Sequence, residues 1–205
     1  MKHIITLTFT FALMITSLSA QQQIGIKGAY QLSNMAVDKD QIQEVNNKSG
    51  YHIGLINRTQ KGAMIYQTEL LWSHKGASYS LSDDTGVNAN LSYIELPLSI
   101  GINLFNTPLS VYGGGYAAYL LSADYKYIDN SDIEFAAFDN KDAFSTFDFG
   151  MQLGAQFKVG DLLFDARYSR GLKNVEKDDI QVNTETFIAN DTKNFNFQLG
   201  VAILF

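Results

Sequence analysis

From residue 21 onward, hydrophobic and polar positions alternate with a period of two in a series of stretches, the pattern of strands with unlike faces. The last stretch is the clearest. Phe195, Phe197, Leu199, Val201, Ile203 and Phe205 share one face, while Asn194, Asn196, Gln198, Gly200, Ala202 and Leu204 share the other. Phe147 to Phe157 alternates in the same way against Asp148 to Lys158, and Ile94 to Leu104 against Tyr93 to Asn103. Shorter runs repeat it: Phe164, Ala166 and Tyr168 oppose Asp165, Arg167 and Ser169, and Ile24, Ile26, Tyr30 and Leu32 oppose Lys27, Ala29 and Gln31. Tyr51, Ile53 and Leu55 oppose His52 and Arg58, with Ile56 out of step, and Met64, Tyr66, Leu70 and Trp72 oppose Gln67, Glu69 and Ser73. Only the stretch from Leu109 to Ala123 is undecided, because Gly113-Gly114-Gly115 puts small residues on both faces and suits a bulge or sharp coiling. The pattern predicts eight strands at 22–34, 48–59, 62–80, 88–104, 109–124, 144–158, 161–173 and 192–205.

Six successive apolar positions on one face match a tilted strand of about 9–11 residues crossing a bilayer. Alternation alone does not say which face is outside: a lipocalin-like soluble barrel lines its interior with the apolar face, a transmembrane barrel does the reverse. Connection lengths separate the two. Tight connections at 59–61, 104–108 and 158–161 alternate with longer polar ones at 35–47, 81–87, 125–143 and 174–191. That rhythm fits a transmembrane barrel with short periplasmic turns and longer extracellular loops, and an even strand number then places both ends of the mature chain in the periplasm. Tyr30, Tyr51, Trp72, Tyr79, Tyr119, Tyr168 and Phe195, near strand ends, suit interfacial girdles. The expected fold is all-β: an eight-stranded antiparallel transmembrane β-barrel.

The first 20 residues change the picture in one respect. Lys2, the apolar run Ile4 to Leu18 and the small residues Ser17-Leu18-Ser19-Ala20 read as a cleaved secretory signal, which leaves residues 21–205 as one barrel domain in the outer membrane. Removing them takes away Lys2 and no acid, so 14 Lys+Arg face 21 Asp+Glu, a balance that argues against nucleic acid as a partner. Absence of Cys rules out disulfides, thiol catalysis and a lipidated Cys at the cleavage point.

The terminal strand ending in Phe205, with Phe197, Leu199, Val201 and Ile203 at every second position before it, resembles the signal by which the barrel-assembly machinery recognises its clients. Ser73-His74-Lys75-Gly76-Ala77, Tyr93-Ile94-Glu95-Leu96-Pro97-Leu98, Tyr112-Gly113-Gly114-Gly115-Tyr116 and Asp165-Ala166-Arg167-Tyr168-Ser169 resemble the PorT-like outer-membrane β-barrel domain family. The resemblance spans nearly the whole mature chain and implies fold and location. The family's namesake is implicated in protein secretion, and no residue here carries that role over.

Candidate chemistry is sparse. On the polar faces, Lys27, Arg58 and Arg167 are placed to neutralise Glu69, Glu95, Asp148 and Asp165 across a narrow lumen, as an internal network that fills and holds the barrel. A proton or solute path is the alternative, and eight strands leave an interior about wide enough for side chains alone. Catalysis would need a nucleophile beside a base. Mature histidines are limited to His52 and His74, and His74 follows Ser73, so the two point to opposite faces. Acidic residues gather in the third long loop (Asp124, Asp129, Asp132, Glu134, Asp139, Asp142) and the fourth (Glu176, Asp178, Asp179, Glu185, Asp191) without a calcium-loop spacing. Ile133, Phe135, Phe138 and Phe144 in the third are candidate partner contacts. The expectation is a non-enzymatic barrel without cofactor or metal, in a structural, envelope-associated or binding role. Its expected partners are the lipid bilayer, the barrel-assembly machinery and envelope or secretion proteins reached through outer loops. A transport or protein-secretion component is the alternative, a soluble lipocalin-like carrier the further one.

Overall fold

The computed structural model describes residues 21–36, 44–82, 85–104, 107–129, 135–139, 145–172, 180–182, 185–187 and 193–205. The leader and its cleavage site, and the side chains of the acidic loops, lie outside the described residues. Eight long strands follow the alternating stretches: β1 (Gln21–Ala36), β2 (Glu44–Lys61), β3 (Met64–Ser82), β4 (Thr85–Asn103), β5 (Leu109–Asp129), β7 (Phe147–Val159), β8 (Leu162–Gly171) and β11 (Lys193–Leu204). Three short strands, β6 (Phe135–Asp139), β9 (Ile180–Val182) and β10 (Glu185–Phe187), fall in the two acidic connections. Each long strand pairs antiparallel with its neighbour in sequence, and β1 pairs with β11, so the sheet closes on itself.

Closure has a measurable stagger. A row of cross-strand partners leaves β2 at Lys61, passes Met64, Ile102, Val111, Ala155, Ala166, Leu199 and Tyr30, and returns to β2 at Tyr51, ten residues further along. With eight strands about 4.8 Å apart and about 3.3 Å per residue, that stagger requires a tilt of about 40° and a backbone diameter of about 16 Å. The tilt also sets the height of the apolar band. An outward run of eleven residues, such as Phe147 to Phe157, then covers about 25 Å, the thickness of the apolar belt of an outer-membrane barrel.

Burial fixes the direction of the alternation. Ile26, Ile53, Leu70, Ile100, Met151, Leu153, Phe164 and Leu199 face outward and are exposed, whereas Lys27, Glu69, Gln152, Asp165, Arg167 and Gln198 point inward and are buried. An apolar outside around a polar inside is the reverse of a lipocalin, so the soluble-carrier alternative does not apply. Ile56 breaks the sequence pattern because it sits on the inner face, fully buried.

Two of the short connections are two-residue turns with glycine at positive φ, Gly62 (61°) and Gly160 (60°), a conformation costly for a residue with a Cβ. The β4–β5 connection is pinned by Thr107, whose N–H and Oγ1–H both reach the Leu104 carbonyl, at 2.9 and 2.6 Å. Gln21 and Phe205 lie at this same end of the barrel, where the Phe205 N–H donates to the Ile24 carbonyl at 2.7 Å.

The opposite end departs from the expected loops. The connection expected at 81–87 is paired strand up to Ser82↔Thr85, which leaves two residues between β3 and β4. Instead of ending near 124, β5 runs to Asp129, with β6 folded back on it. The connection expected at 174–191 contains the β9–β10 pair. Polar residues made these extensions resemble connections, although the alternation continues into them, with Tyr79 and Leu81 against Ser78, Ser80 and Ser82. From His74 to Ser82, β3 rises about 20 Å above the apolar band at this tilt. The irregularity anticipated in β5 exists, but away from the glycines: Ser92 pairs with Ser122 and Tyr93 with Leu120, so Leu121 is the extra residue.

Candidate functional site

The inward side chains stack in three tiers along the lumen. At the end with the tight turns Ile56, Leu163, Ala202 and Leu204, contributed by β2, β8 and β11, form one buried cluster. These residues sit on the inner face by strand parity alone.

Above it, at mid-height, lies a charge cluster whose charges come from three strands, β1, β3 and β8, with neutral partners from β3, β5 and β7. Lys27 Nζ on β1 is 3.3 Å from Glu69 Oε1 and 3.3 Å from Asp165 Oδ1. Arg167 on β8 spans the lumen to reach Glu69 on β3 at 2.5 Å, and its Nε donates to the Tyr112 hydroxyl at 2.7 Å. Tyr112 in turn donates to Asp165 Oδ2 at 2.8 Å. Gln156 donates to Asp165 Oδ2 at 2.9 Å and to Gln67 Oε1 at 3.0 Å, and Gln67 donates to Glu69. Two cations meet two carboxylates, so the tier is neutral, and the amides and the phenol occupy lone pairs that the cations leave. That is the condition under which buried charge is tolerated.

The third tier lies towards the long connections. Lys75 pairs with Glu95 and stands over the rings of Tyr93 (5.4 Å) and Tyr116 (5.1 Å). The Tyr116 hydroxyl donates to Asp148 Oδ2 at 3.2 Å. Leu71, Leu91 and Leu120 are buried at this end.

Of the seven charges expected to form one network, the structure brings together Lys27, Glu69, Asp165 and Arg167. Glu95 and Asp148 belong to the separate upper group. Arg58 joins neither: it makes no ion pair among the described residues, and its Nη1 donates to Gln60 Oε1 at 3.2 Å beside the apolar cluster. Sequence reasoning missed Lys75 although it shares the face of Glu69 and Ser73, because the stretch was read as a family motif rather than by parity. Tyr112 and Tyr116 were hidden in the undecided glycine stretch. Their rings lie over Gly154 and Gly150 on β7, their cross-strand partners, where an added Cβ would come within 2.6 Å of each ring.

The remaining candidates are quickly placed. Ser73 faces the lumen and accepts from Gln31 Nε2 at 3.1 Å. His74 faces outward, stacked on Tyr51 at 5.6 Å with its Nδ1 3.1 Å from Ser92 Oγ, so no Ser–His pair forms. Tyr51 also meets Trp72 edge-on, and the Tyr30 hydroxyl lies 2.6 Å from Ser49 Oγ, an outward aromatic belt. Among the described residues, no cluster of three His, Asp or Glu could hold a metal. On the outer wall a shallow concavity of about 330 Å³ between Tyr66, Leu98, Ile100 and Gly113 carries no charged side chain. Phe205, Ile203, Val201, Leu199 and Phe197 all point outward and are exposed.

Comparison with known proteins agrees with this architecture. A family model described as outer membrane protein beta-barrel domain matches residues 19–177. No curated protein matches the chain. Among solved structures, Ail, the attachment invasion locus protein of Yersinia pestis, superposes with a TM-score of 0.53 at 14% identity, over 89% of this chain and 98% of that one. Neisserial surface protein A superposes with a TM-score of 0.50 at 10% identity, over 89% and 97%. At such identities the likeness is one of fold.

Proposed function

Because the chain belongs to the outer membrane protein β-barrel domain family, we propose that it is a closed, non-enzymatic barrel that acts through what it presents outside the cell rather than through its lumen. The observation that carries this reading is the filled interior: a neutral, interlocked charge cluster reaches across it from β8 to β3, beside a buried aliphatic cluster. Against that, β3, β4 and β5 extend 19 to 21 residues, well past the 9–11 that a bilayer requires. Surplus ordered strand supports a contact platform for an envelope partner. Reconstituted in planar bilayers, the protein is expected to give no discrete conductance steps under varied voltage and salt. Regular unitary steps would reject the closed-barrel reading in favour of a transport or secretion component.

The same reading includes export through cleavage after residue 20, membership of the PorT-like group and tight turns on the periplasmic side. Absence of Cys makes sidedness simple to test. Asp84→Cys is expected to react with a membrane-impermeant maleimide on intact cells, and Ala63→Cys only after lysis. The reverse pattern would invert the topology.

Phe205 serves as the recognition residue for the barrel-assembly machinery, together with Phe197, Leu199, Val201 and Ile203. The Phe205 side chain is 74% exposed, and the bond that holds the residue to β1 is made by its backbone. Phe205→Ala is therefore expected to cut insertion in cells several-fold while refolding into detergent proceeds as for the parent. Equal insertion yields, or an equal loss in both settings, would contradict that role.

A further inference from the structure

Between the charge cluster and the Lys75 group, one wall of the lumen carries polar atoms that the protein does not satisfy. His52 on β2, and Asn196 and Gln198 on β11, point inward and are at most 3% exposed. Both ring nitrogens of His52, both amide atoms of Asn196 and Oε1 of Gln198 have no hydrogen-bond partner. A buried polar atom left unpaired costs about 1–3 kcal/mol, so five on one wall call for a ligand.

The amide of Gln31 beside them is already engaged. Gln31, on the intervening β1, gives its Nε2 to Ser73 Oγ (3.1 Å) and the His74 carbonyl (2.8 Å), and its Oε1 accepts from Gln198 Nε2 at 3.3 Å. The residues beside His52 are small. The cross-strand partner of His52 on β1 is Ala29, and that of Ala29 on β11 is Gly200.

The unpaired atoms define the ligand's chemistry. Asn196 Nδ2 donates, Asn196 Oδ1 and Gln198 Oε1 accept, and a neutral imidazole offers one of each. An anion needs donors alone and a cation acceptors alone. Lys27 and Arg167 in the charge cluster below add repulsion for a cation, and both are already matched by Glu69 and Asp165. A small neutral molecule that both donates and accepts fits the wall. We propose that His52, Asn196 and Gln198 bind a cluster of ordered water molecules, a hydrated chamber in the lumen.

The test is water-to-side-chain cross-relaxation by NMR on the isotopically labelled full-length mature chain, refolded in detergent micelles. Cross-peaks from long-lived water are expected at the side-chain amide of Asn196 and at that of Gln198, whose Oε1 is unpaired although its Nε2 donates to Gln31, and none at Gln67 or Gln156, whose amides are engaged in the charge cluster. Missing peaks at Asn196 and Gln198, or equal peaks at all four amides, would overturn the proposal. Asn196→Leu gives a second reading. Loss of a hydrated amide is expected to lower the urea midpoint, whereas a rise would mean that the amide was dry and the chamber does not exist.

Discussion

Glu69→Leu is expected to remove about 3–5 kcal/mol of folding stability, read from the urea midpoint in lipid vesicles, because it strands buried cations rather than because it deletes one attraction. Glu69 accepts from both Lys27 and Arg167, and without it Asp165 alone faces two positive groups. The tier goes from neutral to one excess charge at mid-lumen, where Lys27, Asp165 and Arg167 are buried away from bulk solvent. The discriminating variant adds Lys27→Met, which restores one cation to one carboxylate. Most of the loss is expected to return, so the two substitutions couple strongly in a double-mutant cycle. Additive losses would show that Glu69 and Lys27 act independently, and a Glu69→Leu cost below about 1 kcal/mol would show that water reaches the cluster.

Gly154→Val is expected to be strongly damaging, with a loss of about 1–3 kcal/mol from overpacking and more from the bonds it disturbs. A Cβ at this position would stand 2.6 Å from the Tyr112 hydroxyl and 2.6 Å from the Ala166 carbonyl. The ring must move, and it carries the bond from Arg167 and the bond to Asp165 with it. Gly113→Val is the control. Gly113 faces outward, and the nearest atom to its added Cβ is 3.8 Å away, so this change is expected to leave the midpoint within about 0.5 kcal/mol. Equal effects at the two positions would refute the role assigned to the Tyr112–Gly154 contact.

The alternating stretches made the eight strands legible because a barrel wall with unlike sides imposes a period of two that nothing else in the chain produces. Positions such as Phe147 to Phe157 or Phe195 to Phe205 could not be assigned otherwise, and parity alone put Lys27, Glu69, Asp165 and Arg167 on one side of the wall. Strand ends outside the apolar band were misread because polar composition at 81–87 and 125–143 passed for loop, although the alternation continues towards it in Ser78-Tyr79-Ser80-Leu81-Ser82. The undecided β5 was unreadable because its information is relational: Gly113 and Gly115 face lipid, while Tyr112 and Tyr116 face glycines on another strand.

The sequence by itself therefore determined the strand count, the parity of residues outside β5 and the apolar end of the chain, since these depend on near neighbours along one strand and on the rhythm of the connections. Which parity faces outward, the ten-residue stagger, the division of the charges into two groups and the isolation of Arg58 were decided by closure of the sheet. Partners such as Arg167 and Glu69 are 98 residues apart and meet only when β8 and β3 stand on opposite sides of a barrel about 16 Å across.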